Sequence, residues 1–388
     1  MGEERYASRS TLFMGPWYRR SPYFEGSVRA GCQAYDVYNH TLLPGYYDDP
    51  NAEYEHLMSG VVMWDVGAEW TIEVSGPDAD RLIDMATCRD LTSCAVGQGK
   101  YMIVTAADGG IVNDPVLLHV GDGRWWMQCA DSDAGLYLLG LATGLGLDAA
   151  VFHPEVYPMQ VQGPMSARTL EKLVGASIYD LKYYWCDRFE IEGLPVVISR
   201  TGFTAAPGFE VNCLRFSDGD ALWRAVLGAG EEFGIRVAAP SMAKRVEAGM
   251  MNYGSDMTIE NNPFQIMGLE RLVEEQPQDY VGKDALERIR REGVGDRLVG
   301  IEFEGGPFDI DPADFWPAFH DGAEVGRVTD AVWSPRLERN IGYVWVPTQL
   351  SEPGTPLDVR SQHGPLAATT AAIPFVDVRK EVPAAPLR

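Results

Sequence analysis

At 388 residues the chain exceeds what one hydrophobic core usually organises, so two or three subdomains with room for a ligand cavity are expected. A formal charge of -24 and an isoelectric point near 4.6 argue against general nucleic-acid or anionic-membrane binding, which both need clustered Lys and Arg. The six cysteines show no C-x-x-C and no Cys/His pairing at zinc spacing, and the six histidines are dispersed, so no metal site is expected.

The first thirty residues are rich in Arg, Tyr and Pro without periodicity and are expected to wrap over the surface or cover part of a pocket. They contain no apolar core of signal-peptide length, and no later window of about twenty residues is free of charge, so a cytoplasmic location is expected. Order is expected from about Gly31. Asp48-Asp49-Pro50 starts a helix with proline at its first turn and acidic residues behind it. Val61 to Val66 reads as a short buried strand, Trp70 to Val74 as an alternating one, and Ser75-Gly76-Pro77-Asp78 as the start of the next helix.

The stretch Gly109 to Val120 follows the turn signal Asp108-Gly109-Gly110 and sets one carboxylate, Asp114, before the apolar run Val116 to Val120. On turn chemistry alone an aspartate there serves turn amides. Arg124 to Cys129 is a hairpin-like partner strand, Ala134 to Leu145 a helix of small residues, Val156 to Gly163 a strand and Ser166 to Leu173 a helix. Tyr183 to Phe189 and Leu194 to Arg200 read as strands. The glycine-rich bend Thr201 to Val211 places Glu210 beside aromatics. Leu222 to Phe233 and Met242 to Gly249 are helical, and Asn261-Asn262-Pro263 closes a polar loop. After about Glu292 short strands (Val299 to Glu304, Glu324 to Asp330, Ile341 to Val346, Leu357 to Val359) recur at roughly 8 to 12 residue spacing and predict a separate all-β module.

Several of these stretches, in order, resemble the glycine-cleavage T-protein family of tetrahydrofolate-dependent methyl and aminomethyl transferases. They are Trp64-Asp65-Val66, Val74 to Ala79, Gly97-Gln98 with Tyr101, Gly109-Gly110-Ile111 with Asn113-Asp114, Val161 to Pro164, Arg200-Thr201-Gly202 with Gly208-Phe209-Glu210, Arg245 to Met250, Tyr280 to Leu286, and Val328-Thr329 with Ser334-Pro335. Val37-Tyr38-Asn39-His40, Arg89-Asp90-Leu91, Asn113 to Leu117 and Asn261-Asn262-Pro263 look most like the branch containing dimethylsulfoniopropionate demethylase and relatives that demethylate aryl methyl ethers. The resemblance implies an α+β fold: a T-protein-like, multi-subdomain folate-binding fold with a C-terminal β-barrel-like module. The division expected is an N-terminal extension (1–30), a folate-binding region of two α+β subdomains (31–292) and an all-β module (293–388).

It also implies roles. Asp114 corresponds to the carboxylate near folate N5 and N10, and Glu210 to the acid that holds the pterin's amide and amino edge. Tyr184 and Phe203 correspond to aromatics around that ring, and Arg245 to an arginine near the glutamate tail. A carboxylate accepting adjacent N–H donors between flat apolar walls is what a pterin requires. Two departures concern the substrate side: Glu69 stands where T-proteins have a methionine, and Leu118 where they have a tyrosine; Phe203 likewise replaces a tyrosine, and Asn113 stands where T-proteins have a second acid.

The reading is a tetrahydrofolate-dependent methyltransferase that demethylates a small donor, best a sulfonium such as dimethylsulfoniopropionate. Tyr38, Trp64 and Trp70 are candidates for an aromatic lining over a sulfonium. The alternatives are O-demethylation of a methoxylated aromatic, with Tyr38, His40 or Glu69 as proton donor, aminomethyl or N-demethylating chemistry, and a non-catalytic folate-binding protein. The expected partner is a small-molecule methyl donor, with no nucleic acid and no membrane, and the chain a monomer or homodimer.

Overall fold

The computed structural model describes residues 15–308, 312, 314–362 and 364–387. Two antiparallel-rich sheets, interleaved in sequence because Val62–Asp65 of the second precedes the first, are followed by a polar loop region and a barrel. The five-stranded sheet runs in the order Ala150–Phe152, Trp70–Ser75, Arg124–Cys129, Val116–Gly121, Gly99–Tyr101. The six-stranded sheet runs Cys186–Ile191, Leu194–Ser199, Gly208–Cys213, Tyr157–Gln162, Val62–Asp65, Arg236–Val237, with only the last pair parallel.

Strand period decides what each face carries. On the first sheet Ile72, Val74, Leu117 and Met127 pack with Leu82, Ile83, Ala134 and Leu138 of the helices Ala79–Ala86 and Ala134–Leu145. On the second, Phe209, Val211 and Cys213 pack with Leu170, Leu222 and Val226 of Ser166–Val174 and Gly219–Gly230. The opposite faces meet each other: Leu118 and Trp126 pack with Val197 and Cys186, and Gln128 Nε2 donates to Asn212 Oδ1 at 2.8 Å across the gap. Glu210 shares that inner face with Asn212 because the two lie two residues apart on one strand.

Helix Pro50–Ser59 starts as its sequence predicts, with Pro50 in the first turn and the Asp49 carboxylate accepting from the Asn51 amide at 2.8 Å. The N-terminal stretch differs from expectation. Residues 1–14 lie outside the described ones, but helix Phe24–Arg29 already belongs to the core: Tyr23 is fully buried, stacks on Trp223 and donates to the Tyr157 carbonyl at 2.8 Å. A lone aromatic in an aperiodic stretch carries no signal that it fills a cleft between distant elements.

After helix Lys283–Glu292, which strand-oriented pattern reading passes over, the chain closes into a six-stranded barrel: Asp296–Phe303, Arg339–Pro347, Ala323–Ser334, Trp316–His320, Pro356–Ser361, Gly364–Ala371. Trp316–His320 and Gly364–Ala371 were not among the expected strands. Val299, Ile301, Val344 and Val359 fill the barrel, whereas Leu298, Ile341, Tyr343 and Trp345, one residue out of phase, pack against Val246, Met251 and Ile266 of the preceding region. Residues past Ala371 then return to the first half, where Arg200 donates to the carbonyls of Pro383 and Ala385. Among the described residues no helix is long and apolar enough to cross a membrane.

Candidate active site

Asp114 occupies the kink between strands Ile111–Asn113 and Val116–Gly121. Gly109 takes φ +89 in the preceding turn, and a Cβ at Gly110 would fall 2.2 Å from the Ile259 carbonyl oxygen, so only glycine lets this loop lie so close to its neighbour. Pro115 donates nothing to the sheet, and its carbonyl accepts from the Met102 amide at 3.1 Å. Asn113 is fully buried; its amide nitrogen donates to Ala130 O at 3.1 Å and Ser132 Oγ at 2.7 Å, while its Oδ1 accepts from the Ala130 amide at 3.2 Å. Asn113 is thereby consumed in holding the 130–132 loop, and of the two residues Asp114 alone lines the cavity beyond.

That cavity measures about 400 Å³ and is lined by Tyr38, Glu69, Asp114, Tyr184, Phe203 and Glu210 among others. The Tyr101 hydroxyl donates to Asp114 Oδ2 at 2.8 Å, and Oδ1 is buried with no partner. Burial pushes the Asp114 carboxyl up to about 7, against the opposing effect of the Tyr101 hydrogen bond. Glu210, 4% exposed, stands opposite Gln160 on one neighbouring strand and Ser199 on the other. Register alone therefore delivers its donors: Gln160 Nε2 at 2.8 Å and Ser199 Oγ at 3.4 Å, joined by the Thr201 hydroxyl. Burial raises the Glu210 carboxyl, and these three hydrogen bonds work against the rise. Glu69 is pushed well up by burial and by the neighbouring Glu210 charge.

Tyr184 holds a left-handed backbone, φ +58, which a bulky residue adopts only under constraint. The constraint is visible: its amide donates to Arg200 O at 3.0 Å and its carbonyl accepts from Gly99 at 2.7 Å. The strained turn presents the ring to the cavity. Three cations, Arg271, Arg379 and Lys380, line the same cavity; Arg271 and Arg379 are solvent-exposed and so mark its mouth.

Four expected site residues stand elsewhere. Arg245 does not line the cavity; it is fully buried and paired with Asp256 at 2.8 Å and with Asp330, so its guanidinium is already committed to two carboxylates. Trp64 is core, packed with Leu57, Val62 and Val66. Trp70 lines a separate, open groove, where the Arg19 guanidinium lies 3.9 Å over its ring. His40 is exposed and does not line the cavity; its ring lies T-shaped to Trp70, centroids 6.1 Å apart. Conversely, Tyr101, Gln128, Arg271, Arg379 and Lys380 line the cavity without having been singled out for it. For Gln128 and Gln160 the signal was present: an amide at a core-facing position of an otherwise apolar strand.

The model of the GCVT N-terminal domain matches residues 23–276, and that of the glycine cleavage T-protein C-terminal barrel domain matches residues 297–377. The chain belongs to the glycine-cleavage T-protein family. Among curated relatives, the dimethylsulfoniopropionate demethylase DmdA of Ruegeria pomeroyi is 33% identical over 356 residues, 92% of this chain and 96% of that protein. The aminomethyltransferase of a Geobacillus species is 28% identical over 367 residues, 92% of this chain and 98% of its own. The crystal structure of the glycine cleavage system aminomethyltransferase T from Bartonella henselae superposes with a TM-score of 0.82 at 22% identity, covering 92% of this chain and 98% of that one, and shows the shared T-protein fold.

As a member of the T-protein family the chain is a folate-dependent one-carbon transfer enzyme, with tetrahydrofolate as cosubstrate. The cavity fits that group. Its volume lies within the range of small-molecule sites, roughly 300–1,000 Å³. The buried Glu210 offers acceptor capacity, Tyr184 and Phe203 are aromatic linings, and Asp114 keeps one oxygen unpartnered. The cations suit an acidic tail in a protein whose net charge is -24.

Proposed function

We propose that the chain is a demethylase that transfers a methyl group from a small donor, best a sulfonium such as dimethylsulfoniopropionate, to tetrahydrofolate. The observation that carries this reading is the single carboxylate at the kink: Asp114 faces the cavity with an unpartnered oxygen, while Asn113, at the position of the aminomethyl members' second acid, is turned into the 130–132 loop. The 33% identity to a dimethylsulfoniopropionate demethylase over 92% of the chain supports it.

In this reading Glu210 accepts from the donor-rich edge of the pterin, with Tyr184 and Phe203 against the ring, and Arg271, Arg379 and Lys380 meet the glutamate tail. Bound tetrahydrofolate supplies the nucleophilic nitrogen that takes the methyl group. Asp114 holds negative charge beside the place where positive charge develops, so its interaction is stronger in the transition state than in the ground state. A sulfonium departs as a neutral thioether and asks no acid of the protein; the walls need only align the donor and exclude water, an effect worth on the order of 7 to 11 kcal/mol.

A second reading, demethylation of a methoxylated aromatic, is favoured by the raised Glu69 carboxyl, which is an acid within the same cavity. Mass spectrometry of the folate product against sulfonium, methoxyaryl and N-methyl donors decides between them. The proposal expects 5-methyltetrahydrofolate from sulfonium donors. Formation of 5,10-methylenetetrahydrofolate instead rejects it in favour of aminomethyl chemistry.

A further inference from the structure

Glu69 lies just before strand Trp70–Ser75, its amide donating to the Val66 carbonyl at 2.9 Å. Its carboxylate lines the cavity and has neither a hydrogen bond nor an ion pair among the described residues. Two further acceptors there are unmatched. Gln128, 5% exposed, has its Nε2 on Asn212 and its Oε1 unpartnered, and Asp114 has its free Oδ1. The cavity's cations are Arg271, Arg379 and Lys380, the first two at its solvent-exposed mouth. Unmatched acceptors therefore accumulate within one cavity, and among the described residues none of them is paired with its three cations.

Building on the methyl-donor reading above, we propose that Glu69 is the counter-ion of the donor, selecting a small onium cation, a sulfonium or a quaternary ammonium, over a neutral methyl ether. The charge arithmetic of the transfer gives the reason. When a methyl group leaves an onium centre, the bonding pair stays on sulfur or nitrogen and the heteroatom passes from cation to neutral. When it leaves an ether, the oxygen passes from neutral to anion beside Glu210 and Asp114, with no cation for Glu69 to pair. Attraction to the bound cation and repulsion of the nascent anion both favour the onium, in an enclosure that screens charge less than water does. Polarised methyl groups on the onium also give the unmatched oxygens weak C–H donors, and the Tyr38 ring lies in the same lining.

A thermodynamic signature follows. In the empty cavity burial and the Glu210 charge favour protonated Glu69; an arriving cation favours the carboxylate, so onium binding releases a proton.

The test is titration calorimetry near neutral pH, in phosphate and in Tris, with two pairs of probes: dimethylsulfoniopropionate against 4-methylpentanoate, the carbon isostere that keeps the carboxylate and lacks the sulfonium charge, and choline against its neutral isostere 3,3-dimethylbutan-1-ol. Wild-type protein is expected to prefer at least one onium over its isostere by tenfold or more and to release a proton on binding it. Glu69→Gln is expected to erase both the preference and the proton release, with tetrahydrofolate affinity within about threefold of wild type; Glu69→Asp, which keeps the charge, restores part of the preference. The inference is overturned by wild-type protein that binds both isosteres as tightly as the oniums, by an undiminished preference in Glu69→Gln, or by a loss in that variant confined to folate affinity. Product analysis reads the parent assignment separately: no 5-methyltetrahydrofolate from any donor rejects methyl transfer, whatever the binding data say about Glu69.

Discussion

The Tyr101 hydroxyl donates to one oxygen of Asp114 at 2.8 Å and leaves the other without a partner inside the cavity. Strand Gly99–Tyr101 pairs with Val116–Gly121, with Tyr101 opposite Val116, so the sheet itself brings the phenol to the kink. A half-satisfied buried carboxylate costs stability, and such costs concentrate at functional sites.

Asp114→Asn is expected to lower the rate of methyl transfer by roughly tenfold or more while the fold persists, since it removes charge directed at the transition state. Single-turnover kinetics with circular dichroism checks both halves. Near-wild-type turnover would remove Asp114 from this role.

The same variant has a stability signature whose sign follows from the raised carboxyl. Between the ordinary aspartate value of 3.8 and about 7, the folded protein keeps a proton that the unfolded chain has lost. Wild-type stability therefore falls as pH rises through that window, by way of this residue. Asp114→Asn lacks the loss, so its melting temperature should match wild type near pH 4 and exceed it near pH 8.

Tyr101→Phe removes a hydrogen bond that favours the ionised carboxylate, so Asp114 should titrate still higher. The acidic limb of the kcat/KM profile is expected near pH 7 in wild type and displaced to higher pH in the variant. An unshifted limb would show that another group controls it.

Glu210→Ala should weaken tetrahydrofolate binding by about tenfold or more, because it removes the acceptor and strands the Gln160 amide. Titration calorimetry measures it; an unchanged dissociation constant contradicts the assignment.

Arg245→Met leaves Asp256 and Asp330 without their shared cation at a fully buried point between helix Met242–Glu247 and the barrel. Loss of one partner from such a pair costs on the order of 3–5 kcal/mol. Chemical denaturation should report a destabilisation of that size.

Local patterns carried much of the architecture. Val116–Gly121, Arg124–Cys129 and Tyr157–Gln162 are apolar runs bounded by turn residues, and Pro50 and Asp49 mark a helix start by capping chemistry that operates within a few residues. Trp316–His320 and Gly364–Ala371 were missed because their burial alternates weakly or their residues are small, and they become strands by closing the barrel. Arg245 misled because a family position specifies a residue type without specifying its partner; the two aspartates that claim it lie 11 and 85 residues away.

The family, the α+β character and two carboxylates that line the cavity, Asp114 and Glu210, could be read from the chain because each rests on ordered short motifs and on periodicities of two and 3.6 residues. Only the folded chain decided which aromatics and cations line the cavity. Tyr38 and Glu69 line it while Trp64 and Trp70 do not, and Arg271, Arg379 and Lys380 line it in place of Arg245. The reason is geometric: a cavity wall is assembled from elements hundreds of residues apart, and whether a side chain points into it depends on sheet register and on the return of the C-terminal segment, which no local pattern encodes.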